Sequence, residues 1–270
     1  MFNLARKEKE LEKVLLVIDV GNTNIVLGVY KDEELLYHWR ISSNKDRTSD
    51  EYGLLFEQIF NHNGLDIEDV KDIIISSVVP PLMHTMPTMS RRYFGIEPII
   101  IGTDIKIGID IKYDNPEEVG ADRIVNAVSG FEKYGGPLII VDSGTAVTFD
   151  AVSKEGSYLG GIITPGIKIS SEALFLRTAM LPKVEIAKPE KFIGKNTINS
   201  IQSGLVHGYV GMMDYIIQNM IKEMEYAEDE VKVIATGGFS NLISNESKYI
   251  DIIDGLLTLE GLRLIYEKNK

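Results

Sequence analysis

The 270-residue chain is 44% hydrophobic and 25% charged, enough to bury the core of one large or two modest domains, and none of its apolar runs approaches the roughly 20 residues of a membrane helix. Its 40 Asp and Glu outnumber 28 Lys and Arg, and the resulting charge of −12 repels nucleic-acid phosphates and argues against nucleic acid as a partner. With no cysteine, disulfides, zinc–thiolate centres and thiol nucleophiles are excluded. The first 13 residues mix Arg6, Lys7, Glu8, Lys9, Glu10, Glu12 and Lys13 without the apolar stretch of a secretory signal. They are expected to form a fraying N-terminal extension, and the cytoplasm is the expected location.

Residues 14–19 (Val-Leu-Leu-Val-Ile-Asp) read as a strand that ends in a polar turn. Strands over 25–30 and 35–41 follow, making a three-stranded meander. Ser49-Asp50-Glu51 opens an amphipathic helix carried by Tyr52, Leu55, Phe56, Ile59 and Phe60 and closed near Asn63-Gly64. A strand over 72–79 stops at Pro80-Pro81. Next come a helix over 82–94, a strand over 98–101 and a helix over 117–134, whose start is marked by Asn115-Pro116-Glu117. After Gly135-Gly136-Pro137 the order begins again, with strands over 138–141, 145–152 and 157–163. The turn between the first two of these is Asp142-Ser143-Gly144, and a hairpin over 154–156 joins the last two. The second half continues with a helix over 166–177, a polar connection over 183–195, a long helix over 199–225 and a solvated acidic stretch over 225–230. It ends with a strand over 232–235, the turn Thr236-Gly237-Gly238 and a helix over 255–268. The reading is α/β, with two domains of like topology over 14–130 and 131–270.

The repeat centres on two turns about half the chain apart, Asp19-Val20-Gly21-Asn22-Thr23 and Asp142-Ser143-Gly144-Thr145-Ala146. A glycine turn between strands lets backbone N–H groups approach a phosphate, and Asn22, Thr23 and Asn24 add side-chain donors. Asp19 at the strand end is placed to hold Mg²⁺ beside that phosphate. A single Asp-x-Gly-x-Thr is equally a satisfied β-turn. Two of them in one duplicated frame point to a nucleotide gripped in an interdomain cleft that closes to exclude water.

This pattern resembles the superfamily of acetate and sugar kinases, heat-shock 70 chaperones and actin, in which two RNase H-like domains close on ATP. The first phosphate motif corresponds to residues 19–24, the second to 142–148 and the adenosine motif to 236–238. Asp19-Val-Gly-Asn-Thr-Asn24, Gly120-Ala-Asp-Arg123, Asp142-Ser-Gly-Thr-Ala-Val-Thr148 and Gly160-Gly-Ile-Ile-Thr-Pro-Gly166 together resemble a type III pantothenate kinase over about residues 14–264.

The resemblance implies transfer of the γ-phosphoryl of ATP, as its Mg²⁺ complex, to the primary hydroxyl of pantothenate. It also implies a homodimer and a monovalent cation, K⁺ or NH₄⁺. By the same carry-over, Asp122 is the general base, and ATP is bound by Asp19, Val20, Gly21, Asn22, Thr23, Asn24, Ile25, Val26, Thr145, Gly237 and Gly238. Pantothenate is bound by Tyr113, Gly120, Ala121, Asp122, Arg123 and Thr197, and the monovalent cation by Asp142. Arg123 suits a bidentate contact to either the substrate carboxylate or a phosphoryl group. One carboxylate at Asp142 does not distinguish Mg²⁺ from K⁺.

Each residue also has a plainer reading. Asp122 and Arg123 suit a helix-surface ion pair, Tyr113 a strand-end aromatic and Thr197 an N-cap. His38, His62, His84 and His207 show no paired metal spacing. Met212 and Met213, with Tyr209, Tyr215 and Ile216, give the long helix an apolar side suited to a core or a dimer interface. A nucleotide-binding transcriptional accessory protein and an ATPase of the same fold are the alternatives. The first has no use for the Asp122–Arg123 pair, and the second releases ADP without a substrate.

Overall fold

The computed structural model describes residues 14–102 and 105–270. The N-terminal extension read from residues 1–13 lies outside the described residues.

The meander forms as expected from β1 (Val14–Val20), β2 (Asn24–Lys31) and β3 (Glu34–Ser42). The helix α1 (Ser49–His62) begins at a capping box in which Thr48 Oγ1 accepts from the Glu51 amide at 3.3 Å and Glu51 Oε2 accepts from the Thr48 amide at 2.8 Å. Its aromatic side, Tyr52, Phe56 and Phe60, packs on Leu16, Ile18 and Val20 of β1 in one core. β4 (Val70–Ser77) pairs in parallel with β1, whose near-continuous apolar run suits this central position. The segment read as a helix over 82–94 is α2 (Leu82–Met89) followed by a π-helical turn, Ser90–Phe94. β5 (Ile99–Ile100) completes the sheet order β3-β2-β1-β4-β5.

The second sheet repeats that plan. After the two-residue β6 (Asp110–Ile111) and α3 (Ala121–Tyr134), the antiparallel run β7 (Leu138–Ser143), β8 (Ala146–Val152) and β9 (Ser157–Pro165) forms a second meander. The chain continues through α4 (Ile167–Arg177), α5 (Thr197–Glu223), β10 (Lys232–Thr236), α6 (Ser240–Ser244), β11 (Ile252–Ile253) and α7 (Leu257–Asn269). β10 joins β7 in parallel, as β4 joins β1, in the order β11-β10-β7-β8-β9-β6.

The chain divides into two compact units, but not at residue 130. The first sheet's unit also holds Gly120–Asp122 and Leu262–Lys270, and the second comprises Ile107–Val119 and Arg123–Gly261. The expected boundary falls inside α3, whose Ile124 and Ala127 pack on Leu138, Ile140 and Ile234 in the second core. That helix also starts later than its Asn-Pro signal implies. A 3₁₀ turn, Pro116–Glu118, is followed by Val119 with extended backbone (ψ 123°) and a buried side chain, so helical geometry begins only at Ala121.

Candidate functional site

In the first unit, β1 ends at Asp19 and Val20, the chain turns through Gly21–Thr23, and β2 leaves from Asn24. The Gly21 amide donates to the Asn24 carbonyl at 2.9 Å, and a side chain at Gly21 would begin 3.1 Å from that oxygen, so the turn is closed over its glycine. Asp19 and Asn24 are half-buried, and Asn22 and Thr23 are exposed. Val20 and Ile25 have fully buried side chains in the core, and half-buried Val26 pairs with Asp19 across the ladder. Two of the eight residues assigned to ATP here therefore shape the turn from below.

The corresponding turn in the second unit is built by three converging segments. Asp142 and Ser143 end β7, and the Gly144 amide donates to the Ala146 carbonyl at 3.0 Å. Gly166, just past β9, donates to the Thr145 carbonyl at 3.0 Å; a Cβ on it would meet that oxygen at 2.3 Å. Gly237, after β10, has φ +91°, and a Cβ there would lie 2.4 Å from Asp142 Oδ1 and 2.7 Å from the backbone of Ser143. The third motif thus lies directly against the second, because β10 pairs with β7 so that Thr236 faces Asp142. Asp142 Oδ2 accepts from Asn126 Nδ2 at 3.2 Å, and Thr258 Oγ1 donates to Asn126 Oδ1 at 2.7 Å. Thr145 is exposed.

Asp122 occupies the first turn of α3, where the helix dipole favours negative charge, with Gly120 and Ala121 just before it. Arg123, next in the chain, lies beneath the surface and not on it. It is 6% exposed and reaches Asp150 on β8: Nε donates to Oδ1 at 2.7 Å, and Nη2 lies 2.7 Å from the same oxygen. Asp150, fully buried, also accepts from Tyr158 OH at 2.8 Å and from Thr148 Oγ1 at 3.1 Å. Burial works to lower the Arg123 guanidinium and Asp150 overcomes it, leaving the group above its usual value. Burial, and then Asp150, pushes the Tyr158 phenol far above its ordinary range, so it donates throughout the physiological range. Tyr113 joins this cluster, its ring centroid 6.4 Å from that of Tyr158 and its ring edge beside Gly160.

The sequence reading names Tyr113 and Arg123 but not Asp150 and Tyr158, the residues that Arg123 and Tyr113 contact. The available signal was an aspartate within the apolar run Phe149–Val152, since a buried carboxylate demands a partner. Thr197 is exposed on the first turn of α5, and the N-cap is Asn196, whose Oδ1 accepts from the Asn199 amide at 2.8 Å. Among the described residues no hydrogen bond or ion pair joins Thr197 to the Arg123 cluster.

Among the described residues no group of three or more His, Asp or Glu is placed to hold a metal ion, and no helix is long and apolar enough to cross a membrane. The groups around the Asp142 turn that could hold a cation are oxygens, a carboxylate with backbone carbonyls and the Thr145 hydroxyl, and the absence of a Cβ at Gly237 spares Asp142 Oδ1 a contact at 2.4 Å. That donor set fits a hard cation.

Several solved structures share this architecture. A Campylobacter jejuni protein described as a Baf family transcriptional activator is 20% identical with a TM-score of 0.58, the match covering 93% of this chain and 97% of that one. A Listeria monocytogenes protein described as an N-acetylmannosamine kinase is 11% identical with a TM-score of 0.53, covering 94% of this chain and 98% of that one. The activator of 2-hydroxyisocaproyl-CoA dehydratase from Clostridium difficile, solved with bound ADPNP, is 13% identical with a TM-score of 0.51, covering 93% and 92%. At these identities the likeness is one of fold, the duplicated actin-like ATPase architecture. Finer assignment comes from the sequence model of the type III pantothenate kinases, which matches residues 15–219 and so spans both glycine turns, Asp122 and the Arg123 cluster: the chain belongs to the type III pantothenate kinase family, whose members phosphorylate pantothenate with ATP in coenzyme A biosynthesis.

Proposed function

We propose that this chain binds ATP as its Mg²⁺ complex through the turns at residues 19–26, Thr145 and Gly237-Gly238, and that Asp122 directs the primary hydroxyl of pantothenate at the γ-phosphorus. The product is 4′-phosphopantothenate. The observation that carries the reading is the family match across residues 15–219. Phosphoryl transfer passes through a loose transition state, so the protein's task is positioning and charge stabilisation. The Asp122 carboxylate accepts the hydroxyl proton late in the transfer. Tyr113, Gly120, Ala121, Arg123 and Thr197 hold the acceptor. Asp142, with the oxygens of its turn, would hold a monovalent cation, K⁺ or NH₄⁺, which supplies positive charge near the phosphates.

The active form in this reading is a homodimer in the cytoplasm. Support comes from the second unit's surface, where Ile163, Leu176, Phe192, Ile193 and Ile198 are all more than half exposed. Along α5, Gly204, Gly208 and Gly211 form an open face on which an added Cβ would meet nothing within 4 Å.

The test is ADP release with MgATP, with and without pantothenate, in KCl and in NaCl at equal ionic strength. The expected result is ADP only with pantothenate, formed faster in K⁺. Equal release without pantothenate would replace this reading with an ATPase. No release under any condition, with nucleotide still bound, would replace it with a regulatory protein.

A further inference from the structure

Arg123 has a long side chain whose rotamer freedom is costly to remove, yet it is held nearly out of solvent. Its Nε and Nη2 converge on a single oxygen of Asp150, and its Cζ lies 5.9 Å from the centroid of the Tyr158 ring. Tyr158 closes the arrangement by donating to the same oxygen at 2.8 Å, while Thr148 fixes the other oxygen of Asp150. Opposite Asp150 in the β8–β9 ladder stands Gly161, where a Cβ would lie 2.6 Å from Arg123 Nη2. The same Cβ would meet the Phe149 carbonyl oxygen at 2.0 Å, so the glycine leaves room for both the strand backbone and the guanidinium.

A buried ion pair is seldom worth more than apolar residues of the same volume, so its presence calls for a purpose beyond stability. The charge balance indicates which one. Asp150 offsets the positive charge of Arg123 and holds its Nε and Nη2 on one oxygen, an arrangement suited to directional contact with a ligand more than to supplying charge to a transferring phosphoryl group.

We propose that Asp150 and Tyr158 are positioning residues that act through Arg123, locking its guanidinium in the one orientation that meets pantothenate. The inference rests on the functional reading above, in which Arg123 contacts that substrate. It assigns the pair to acceptor binding and not to the chemical step.

The experiment compares the wild type, Tyr158→Phe, Arg123→Lys and the double variant by KM for pantothenate, kcat, KM for MgATP and Tm. Tyr158→Phe removes one hydrogen bond to a charged group and little volume. It is expected to raise KM for pantothenate about five- to tenfold, with kcat and KM for MgATP within twofold of wild type. In the Arg123→Lys background the same change is expected to add less than twofold, because a residue that acts through Arg123 loses its effect once the guanidinium is gone. Asp150→Asn is expected to raise KM further, but it leaves Arg123 buried without a counter-charge and endangers the fold, so Tyr158→Phe carries the decision.

An equal factor in both backgrounds would overturn the proposal, as would a fall in kcat with KM unmoved. A wild type without pantothenate-dependent turnover would overturn the functional reading itself, before any substitution is made.

Discussion

Gly237→Ala tests whether the turn after β10 is built around Asp142. The glycine has φ +91°, and forcing an alanine into left-handed backbone costs about 1–2 kcal/mol. The new methyl would also sit 2.4 Å from Asp142 Oδ1 and 2.7 Å from both the amide nitrogen and the carbonyl carbon of Ser143. Two of those three neighbours are backbone within a paired strand and cannot swing aside, so overpacking adds about 1–3 kcal/mol. The sum, about 2–5 kcal/mol, is a large share of the roughly 5–15 kcal/mol that holds a typical domain together. The cheapest relief is rotation of the Asp142 carboxylate, which breaks its bond from Asn126. ATP affinity is therefore expected to fall at least about tenfold even where the protein remains folded, since 1.4 kcal/mol at the turn suffices for that. Urea unfolding and nucleotide titration measure the two effects, with Gly255→Ala as a control because a Cβ there meets nothing within 4 Å. A Gly237→Ala protein within about 0.5 kcal/mol of wild type and with unchanged ATP affinity would refute the argument, since ordinary surface substitutions already fall in that range.

Asp122→Asn is expected to leave ATP binding intact and lower kcat by roughly 10²–10⁴, the usual cost of losing a general base; an unchanged rate would remove it from that role. Asp142→Ala is expected to abolish the difference between KCl and NaCl, and persistent K⁺ activation would move the cation elsewhere. Asp254 accepts from Lys133 Nζ at 2.5 Å, Tyr134 OH at 2.8 Å and the Leu256 amide at 3.0 Å. Burial works to raise its carboxyl and these bonds overcome it, so its pKa lies below the ordinary value and its contribution is present at neutral pH and lost as pH falls through the depressed pKa. Asp254→Asn should thus cost about 1–2 kcal/mol at pH 7, a penalty that shrinks below about pH 4 in thermal unfolding; a pH-independent penalty would contradict the linkage. Gly208→Phe should leave the far-UV circular dichroism of the fold unchanged, because a Cβ there meets nothing within 4 Å, and shift sedimentation from dimer to monomer; an unshifted dimer would place the interface off α5.

What could be read from the sequence followed from local chemistry. The meander was legible because apolar strands ended at Asp-Val-Gly and Lys-Asp-Glu turns, and α1 because its apolar positions recur at helical spacing after the polar opening Ser49-Asp50-Glu51. The duplication was legible because both halves place a strand, a glycine turn and a strand in the same order. Three features resisted. β6 and β11 are two residues long and exist only through their pairing with β9 and β10, which no local pattern reports. The start of α3 is set by Val119 entering the second core, a tertiary effect that overrode the Asn-Pro signal. The partner of Arg123 lies 27 residues away, and finding it needs the packing of α3 against β8 as well as the identity of the residues. The domain boundary failed for a related reason: the division runs through the first turn of α3 and again inside α7, where chain continuity gives no cue.

The closed arrangement of Arg123, Asp150, Tyr158 and Gly161 bears on any attempt to redesign the acceptor. Changing Arg123 alone would orphan a buried carboxylate, and changing Asp150 alone would orphan a buried cation; each leaves an uncompensated charge whose cost is several kcal/mol. Single-site libraries at these positions will therefore return mostly misfolded protein, and that loss will resemble intolerance of new substrates. The smallest heritable step toward a different acceptor is a paired replacement of positions 123 and 150, made with a side chain at 158 that matches the new pair.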